Sequence, residues 1–322
     1  MTWTSISDMV QPEILMPYVA ERIANTNNFI RSGVMAPNEA LTAAMRSGGT
    51  TGKFPFYKPF DGDDEVLDDG ATGELSLNAA ETDSEQYAVL ARGKAYSASD
   101  LSKAFSGSDP MRAVANSLAD YWSNAYNGTL LSTAAGLFDA ASFSDHVNDI
   151  SGTGTPDFSS DAVIDTRAVL GDRANGLDVI VMHSKTLAAA NKADLVEYLR
   201  ISQYDPEVPF YLGMRVIVDD RVPYASGTGV TSVYLFGMGS FAYGGNTSPR
   251  PLEVDRDSLT GGGLDVLVSR SHHVIHPVGF NLDVSGISGS TPSNTEISDG
   301  TVEFTAAREL KNIPMAELIC TV

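Results

Sequence analysis

The densest group of chemically competent side chains is His272-His273-Val274-Ile275-His276, which holds three of the five histidines in a chain of 322 residues. On an extended strand His272 and His276 share a face and His273 points to the other. Two histidines on one face could begin a zinc site, but the third ligand would have to come from elsewhere in the chain. His146 and His183 lie outside any Asp/Glu pattern of the zinc-protease helix kind. A metal-dependent hydrolase built on the cluster is one reading; ring packing along a strand is the other.

The remaining candidates lack essential parts. Gly261-Gly262-Gly263 and Gly227-Thr228-Gly229 have neither the Gly-Lys-Ser/Thr of a phosphate loop nor a dinucleotide fingerprint opening a helix. Ser184 has no Gly-x-Ser-x-Gly elbow, and Cys320 has no histidine beside it. Asp61-Gly62-Asp63-Asp64-Glu65 clusters oxygen ligands without the spaced positions and bidentate Glu of a helix-loop-helix calcium site. Asp219-Asp220 and Asp255-Arg256-Asp257 have the form of turns or ion pairs. No constellation demands a reaction, so no catalytic, metal or cofactor residue is assigned.

The composition narrows the classes further. The chain has 41 acidic residues against 21 basic ones, a formal net charge of −20. Binding nucleic-acid phosphates needs a basic footprint, so this surface repels them. The acidity serves solubility, or a surface that faces packed nucleic acid without adhering to it. The single cysteine excludes an intrachain disulfide. No apolar run reaches the roughly 18 residues of a membrane span, and the N-terminus lacks the basic and apolar regions of a signal peptide. A soluble cytoplasmic protein is expected.

The elements that position these residues are legible in part. Ser108-Asp109-Pro110 is a helix start, a capping side chain with Pro at the first helical position. Met111, Val114, Leu118, Trp122, Ala125 and Leu130 recur at helical spacing. The predicted helix is roughly 40 Å long, is interrupted by Gly128, and ends near Gly136. Residues 1–46 read as an arm with one or two short helices that cannot form a core alone. Residues 47–100 read as a two-limbed β-excursion. Its outgoing limb carries Phe54, Phe56, Tyr57 and Phe60, and its return limb runs from Gln86 to Ser97. From Asp61 to Glu85 come ten acids, which read as a solvated acidic tip. An isolated hairpin of that length is marginal in water, so it is expected to brace on a neighbouring subunit through Phe54, Phe56, Tyr57, Phe60, Asp64, Glu65, Asp68 and Tyr87.

Beyond the linker Ser151–Pro156 the pattern becomes α/β. A helix is predicted over 162–170, a buried strand over 177–182, and a second helix from Lys185 to Leu199. Single strands follow over 211–218, 232–237 and 264–280. No tandem repeat is present.

Several blocks then acquire a common meaning. They are Ala91-Arg92-Gly93-Lys94-Ala95-Tyr96-Ser97, Gly107-Ser108-Asp109-Pro110-Met111, Val181-Met182-His183-Ser184, Leu212-Gly213-Met214-Arg215, Tyr234-Leu235-Phe236-Gly237, Glu253-Val254-Asp255-Arg256-Asp257, His276-Pro277-Val278-Gly279 and Lys311-Asn312-Ile313-Pro314. In this order, from about Tyr87 to the C-terminus, the chain resembles the major capsid proteins of tailed bacteriophages with the Hong Kong 97-like fold. The resemblance implies an α+β fold with an N-terminal arm (1–46), an extended loop across an adjacent subunit (47–100) and a peripheral domain (101–154). The spine helix of that domain would have a core of Met111, Val114, Leu118 and Trp122. A mainly axial domain (155–284) and a returning C-terminal segment (285–322) would follow. It further implies self-assembly into pentamers and hexamers of a shell around double-stranded DNA, without catalysis, in a virion assembled in the bacterial cytoplasm. A portal protein is implied as a partner, with a separate scaffolding or decoration protein as a further option and no membrane. The spine helix is expected to bend during maturation, with the kink at Gly128. An encapsulin-like nanocompartment shares the fold and is the alternative. No lysine–asparagine crosslinking pair can be matched.

Overall fold

A computed structural model describes residues 12–58, 82–99, 110–199, 207–259 and 263–322. Phe60, Asp64, Glu65 and Asp68 lie outside them, and the side chains of Met111 and Val114 are likewise outside the description.

The chain opens with α1 (Pro12–Thr26), α2 (Asn28–Arg31), β1 (Met35–Pro37) and α3 (Glu39–Met45). Asn27 and Asn38 cap α2 and α3 with side-chain oxygens that accept backbone N–H groups, which satisfies donors a helix start leaves free. Too short to bury themselves, these elements send Val19, Ile23, Phe29, Val34 and Met35 into the main core. Next, β2 (Thr51–Tyr57) pairs antiparallel with β3 (Thr82–Ala88), Thr51 opposite Ala88 and Tyr57 opposite Thr82. The acidic segment 59–81 between them lies outside the described residues. One residue after β3 the return limb becomes β4 (Leu90–Ser99), which joins a sheet over its whole length.

The long helix is α4 (Pro110–Asp139), 30 residues and continuous through Gly128, hence about 45 Å long. It does not end at Gly136, as the periodicity suggested. A Cβ at Gly136 would lie 1.9 Å from the carbonyl oxygen of Ile297. This glycine lets another backbone abut the helix rather than stopping it.

A 3₁₀ turn (Ala141–His146) leads to β5 (Val147–Asp149), α5 (Ser160–Ala168) and β6 (Val179–Met182). All four residues of β6 are buried, as its unbroken apolar run demands. Then α6 (Ser184–Lys192) stops seven residues short of the predicted Leu199. Asp194, at φ 55°, turns the chain out of the helix, and β7 (Glu197–Leu199) follows. The strand predicted over 211–218 is really a hairpin of β8 (Val208–Tyr211) and β9 (Met214–Val218). Leu212 (φ 47°) and Gly213 (φ 79°) form its two-residue turn, the pairing of positive φ values that matches strand twist.

The remaining elements are β10 (Val230–Phe236), β11 (Phe241–Gly244), β12 (Leu252–Asp257), the 14-residue β13 (Leu264–Pro277), β14 (Phe280–Asp283), α7 (Asn294–Ser298), β15 (Glu303–Ala306) and β16 (Met315–Thr321). A reciprocal capping box between Ser293 and Glu296 starts α7.

Two principal sheets result. One has the order β1-β11-β13-β12, with β4 also on β13; the other runs β5-β16-β10-β6-β9-β8-β7. The middle of α4 lies on the first sheet. The Trp122 indole N–H donates to Ser269 Oγ, and the Tyr126 and Ser271 hydroxyls share a hydrogen bond, both at 2.8 Å. Its C-terminal end reaches the second sheet, where Phe138 stacks on Tyr234 with ring centroids 5.4 Å apart. A single helix thus ties both sheets into one core. The far face of the second sheet packs separately under α5 and α6, through Val163, Ile180, Met182, Ala190 and Leu235.

Candidate assembly surfaces

The histidine cluster divides between two environments. His273 is buried against Tyr126 of α4, ring centroids 4.5 Å apart. Burial, with the Arg92 charge as a lesser cause, holds its pKa down at about 3, so the ring is neutral. His276 instead places Nε2 3.1 Å from Glu85 Oε2. Among the described residues no group of three His, Cys, Asp or Glu side chains is placed to hold a metal. These rings pack and brace strands.

Glu85 itself was read as the last acid of an exposed tip, yet it is only 1% exposed. Its second oxygen accepts from Arg308 Nε at 2.6 Å. Burial alone would raise its pKa. The His276 hydrogen bond and the Arg308 charge outweigh that and hold the carboxyl below its usual range. The Arg308 guanidinium also lies over the Phe56 ring, 4.5 Å from its centroid. Beside it, the Gln86 N–H donates to Asn281 Oδ1 at 2.8 Å. The root of the β2–β3 hairpin is therefore bolted to the C-terminal third of the chain by a buried ionic joint, which holds the hairpin as a lever.

Along that lever the expected contact residues separate. Tyr57 is 79% exposed, while Phe54 and Phe56 are half-buried against their own chain. Tyr87 is a correction. It is 4% exposed and packs inside its own subunit, its hydroxyl 2.3 Å from where a Cβ on Gly52 would stand. The cross-strand glycine creates the space that the ring fills, so Tyr87 has no face left for a neighbour.

A second surface escaped the sequence reading altogether. Tyr198 and Leu199, each 49% exposed, lie on the outer strand β7 of the seven-stranded sheet, and the exposed Leu212 lies in the β8–β9 turn. There β7 is an edge strand. An edge that combines free backbone groups with apolar side chains pairs readily with another chain. The signal was hidden because the segment 185–199 carries a helical apolar spacing.

At the predicted spine core, Leu118 and Trp122 are buried. Gly128 faces Arg221, from the turn after β9. Arg221 Nη1 donates to the Asn124 carbonyl oxygen at 2.5 Å, while Nε and Nη2 hold the Asp219 carboxylate at 2.8 and 2.5 Å. Asn124 is the residue whose carbonyl an α-helix pairs with the N–H of Gly128. A Cβ at Gly128 would lie 3.3 Å from Nη1. The glycine admits a second, external donor to a main-chain oxygen of the helix.

The chain is 35% identical over 305 residues to the major capsid protein of Bacillus phage SPP1, covering 93% of each chain. The chain belongs to the bacteriophage major capsid proteins. Its fold agrees. The capsid asymmetric unit of Cyanophage Pam1 superposes with a TM-score of 0.54 at 10% identity, covering 93% of this chain and 92% of that one. The capsid of Ralstonia phage GP4 gives 0.54 at 12% identity, covering 93% and 90%. No protein-family model matches the chain. This capsid protein has the α+β, Hong Kong 97-like fold, associates with its own copies into an icosahedral shell, and resides in the virion capsid. A structural role accounts for the features above. In this capsid protein His273 and His276 brace strands, the buried Glu85 anchors the β2–β3 hairpin, and the long helix joins two sheets.

Proposed function

We propose that this capsid protein builds the head of a tailed phage from pentamers and hexamers, encloses double-stranded DNA, and performs no catalytic turnover. The observation that carries the reading is the β2–β3 pair, rooted in its own core through Glu85 while Tyr57, the last residue of β2, stays exposed. A strand pair fixed at its root that leaves an aromatic side chain exposed beyond it suits bracing on an adjacent subunit. In this reading residues 1–46 are the arm, 47–100 the extended loop, 101–154 the peripheral domain and 155–284 mainly the axial domain. Residues 285–322 return to both. The contacts across subunits come from Phe54, Phe56, Tyr57, Phe60, Asp64, Glu65 and Asp68, and from the edge at Tyr198 and Leu199.

Assembly takes place in the bacterial cytoplasm, with a portal protein at one vertex and a separate scaffolding or decoration protein as a further partner. The formal charge of −20 keeps packed DNA from adhering to the wall where acidic side chains face the lumen. Electron microscopy of the expressed protein tests the assembly: rings or shells are expected, and discrete monomers under all conditions would refute it. Particles purified from infected cells test the content. DNA with a unique portal vertex is expected, whereas closed shells filled with an enzyme cargo would replace this reading with the nanocompartment one.

A further inference from the structure

A cavity of about 190 Å³ lies between α1, α4 and the first sheet. Ala20, Ile23 and Ala24 of α1 form one wall; Trp122, Tyr126 and Tyr243 form another. Ala20 and Ala24 are exposed, so on the α1 side the pocket opens towards the surface past two small side chains. Its size exceeds the roughly 150 Å³ of an engineered apolar cavity that stays dry and binds benzene.

The polar groups in the walls are already engaged with protein. Trp122 donates to Ser269, and the Tyr126 hydroxyl pairs with Ser271, which also contacts His273 Nδ1 at 3.1 Å. The Tyr243 ring packs on that of Tyr126, centroids 5.5 Å apart. The Asn246 amide donates to the Arg270 carbonyl, and its oxygen accepts from the N–H groups of Ser248 and His272. Water entering the cavity would find few free partners, and a charged ligand would find no counter-charge among these groups, a costly burial. Three aromatic side chains in the lining favour a flat, apolar occupant.

We propose that this cavity is a binding site for a small, uncharged aromatic molecule of benzene to indole size, and that its occupant ties the N-terminal helix α1 to α4. Such a ligand bridges two elements otherwise joined at the surface by the Arg22–Asp120 ion pair (3.0 Å) and inside by Asn27, whose amide donates to Asn127 and the Ser123 carbonyl.

The test is thermal unfolding of the full-length protein with benzene, indole or benzoate, beside the variant Ala20→Leu/Ala24→Leu. Benzene and indole at tenfold their dissociation constants should raise the midpoint by about 2–4 °C, and benzoate should not. The filled variant should unfold at a higher temperature without ligand and lose the ligand response. Fluorine NMR of fluorobenzene, with line broadening reversed by indole, gives a second readout should the variant fail to fold. Absence of any saturable shift or broadening, or an equal shift in the folded filled variant, overturns the proposal. So does a response that emerges only after deletion of residues 1–11, because the chain's own N-terminus would then be the occupant.

Discussion

Two buried carboxylates show how the same side chain is set to opposite tasks by its neighbours. Glu85 sits between His276 and Arg308 and is held ionised. Replacing it with Ala leaves His276 buried and Arg308 without its carboxylate, a loss of about 2–4 kcal/mol readable in denaturant unfolding. Faster proteolytic cleavage within 51–88 should accompany that loss. Glu317, buried on β16, meets no such cation among the described residues. Burial, reinforced by Asp139 and Asp149, pushes its pKa up to about 7. Its folded form therefore binds a proton that the unfolded chain, titrating near 4.5, has already released. Stability should fall as pH rises from about 4.5 to 7, by at most about 3 kcal/mol. Glu317→Gln should flatten that slope and unfold at a higher denaturant concentration than wild type at pH 8. An unchanged slope would assign the pH dependence elsewhere.

The two glycines of α4 serve different neighbours. Gly136 is pressed against the Ile297 carbonyl, a main-chain atom that cannot swing aside. Gly136→Ala must displace α7 and should lower stability by about 2–4 kcal/mol, the range for overpacking or more. Gly128 meets only the tip of a flexible arginine. Gly128→Ala should cost little or even stabilise, since alanine gains about 1 kcal/mol of helix propensity. If the helix bends during maturation, as proposed from the resemblance, Arg221 supplies a donor for the Asn124 carbonyl when its helical partner moves away. Gly128→Ala shells should then form but expand more slowly, as time-resolved scattering would show. Equal expansion rates would remove Gly128 from the maturation pathway.

Across the whole molecule, α4 carries one core from the first sheet to the second, while among the described residues Tyr57 at the end of β2 and Tyr198 and Leu199 on the edge strand β7 stay exposed. Tyr198→Asp/Leu199→Asp adds two charges to an edge that the chain does not bury. The variant should retain the wild-type unfolding midpoint, because surface changes cost within about 0.5 kcal/mol. It should nevertheless yield few closed shells by electron microscopy. Normal shell yield would show that this edge faces solvent in the particle.

Local chemistry made much of this legible in the sequence: the long helix from Pro110, the buried run at β6, the two limbs of the hairpin, and the family itself from its ordered blocks. These depend on spacing and capping, which near neighbours in the chain decide. The boundaries of α6 and the turn at Leu212-Gly213 were not legible, because the positive φ values at Asp194 and Leu212 are imposed by the elements they connect, α6 with β7 and β8 with β9. Nor could the acids be sorted. Glu85 resembles its neighbours in the acidic stretch, and only the arrival of His276 and Arg308, 191 and 223 residues away, turns it into a joint. Tyr87 and the histidines followed the same logic. Residue type and spacing determined which elements form and which family they build, whereas burial and pairing between distant segments decided which side chains are structure and which remain as surface.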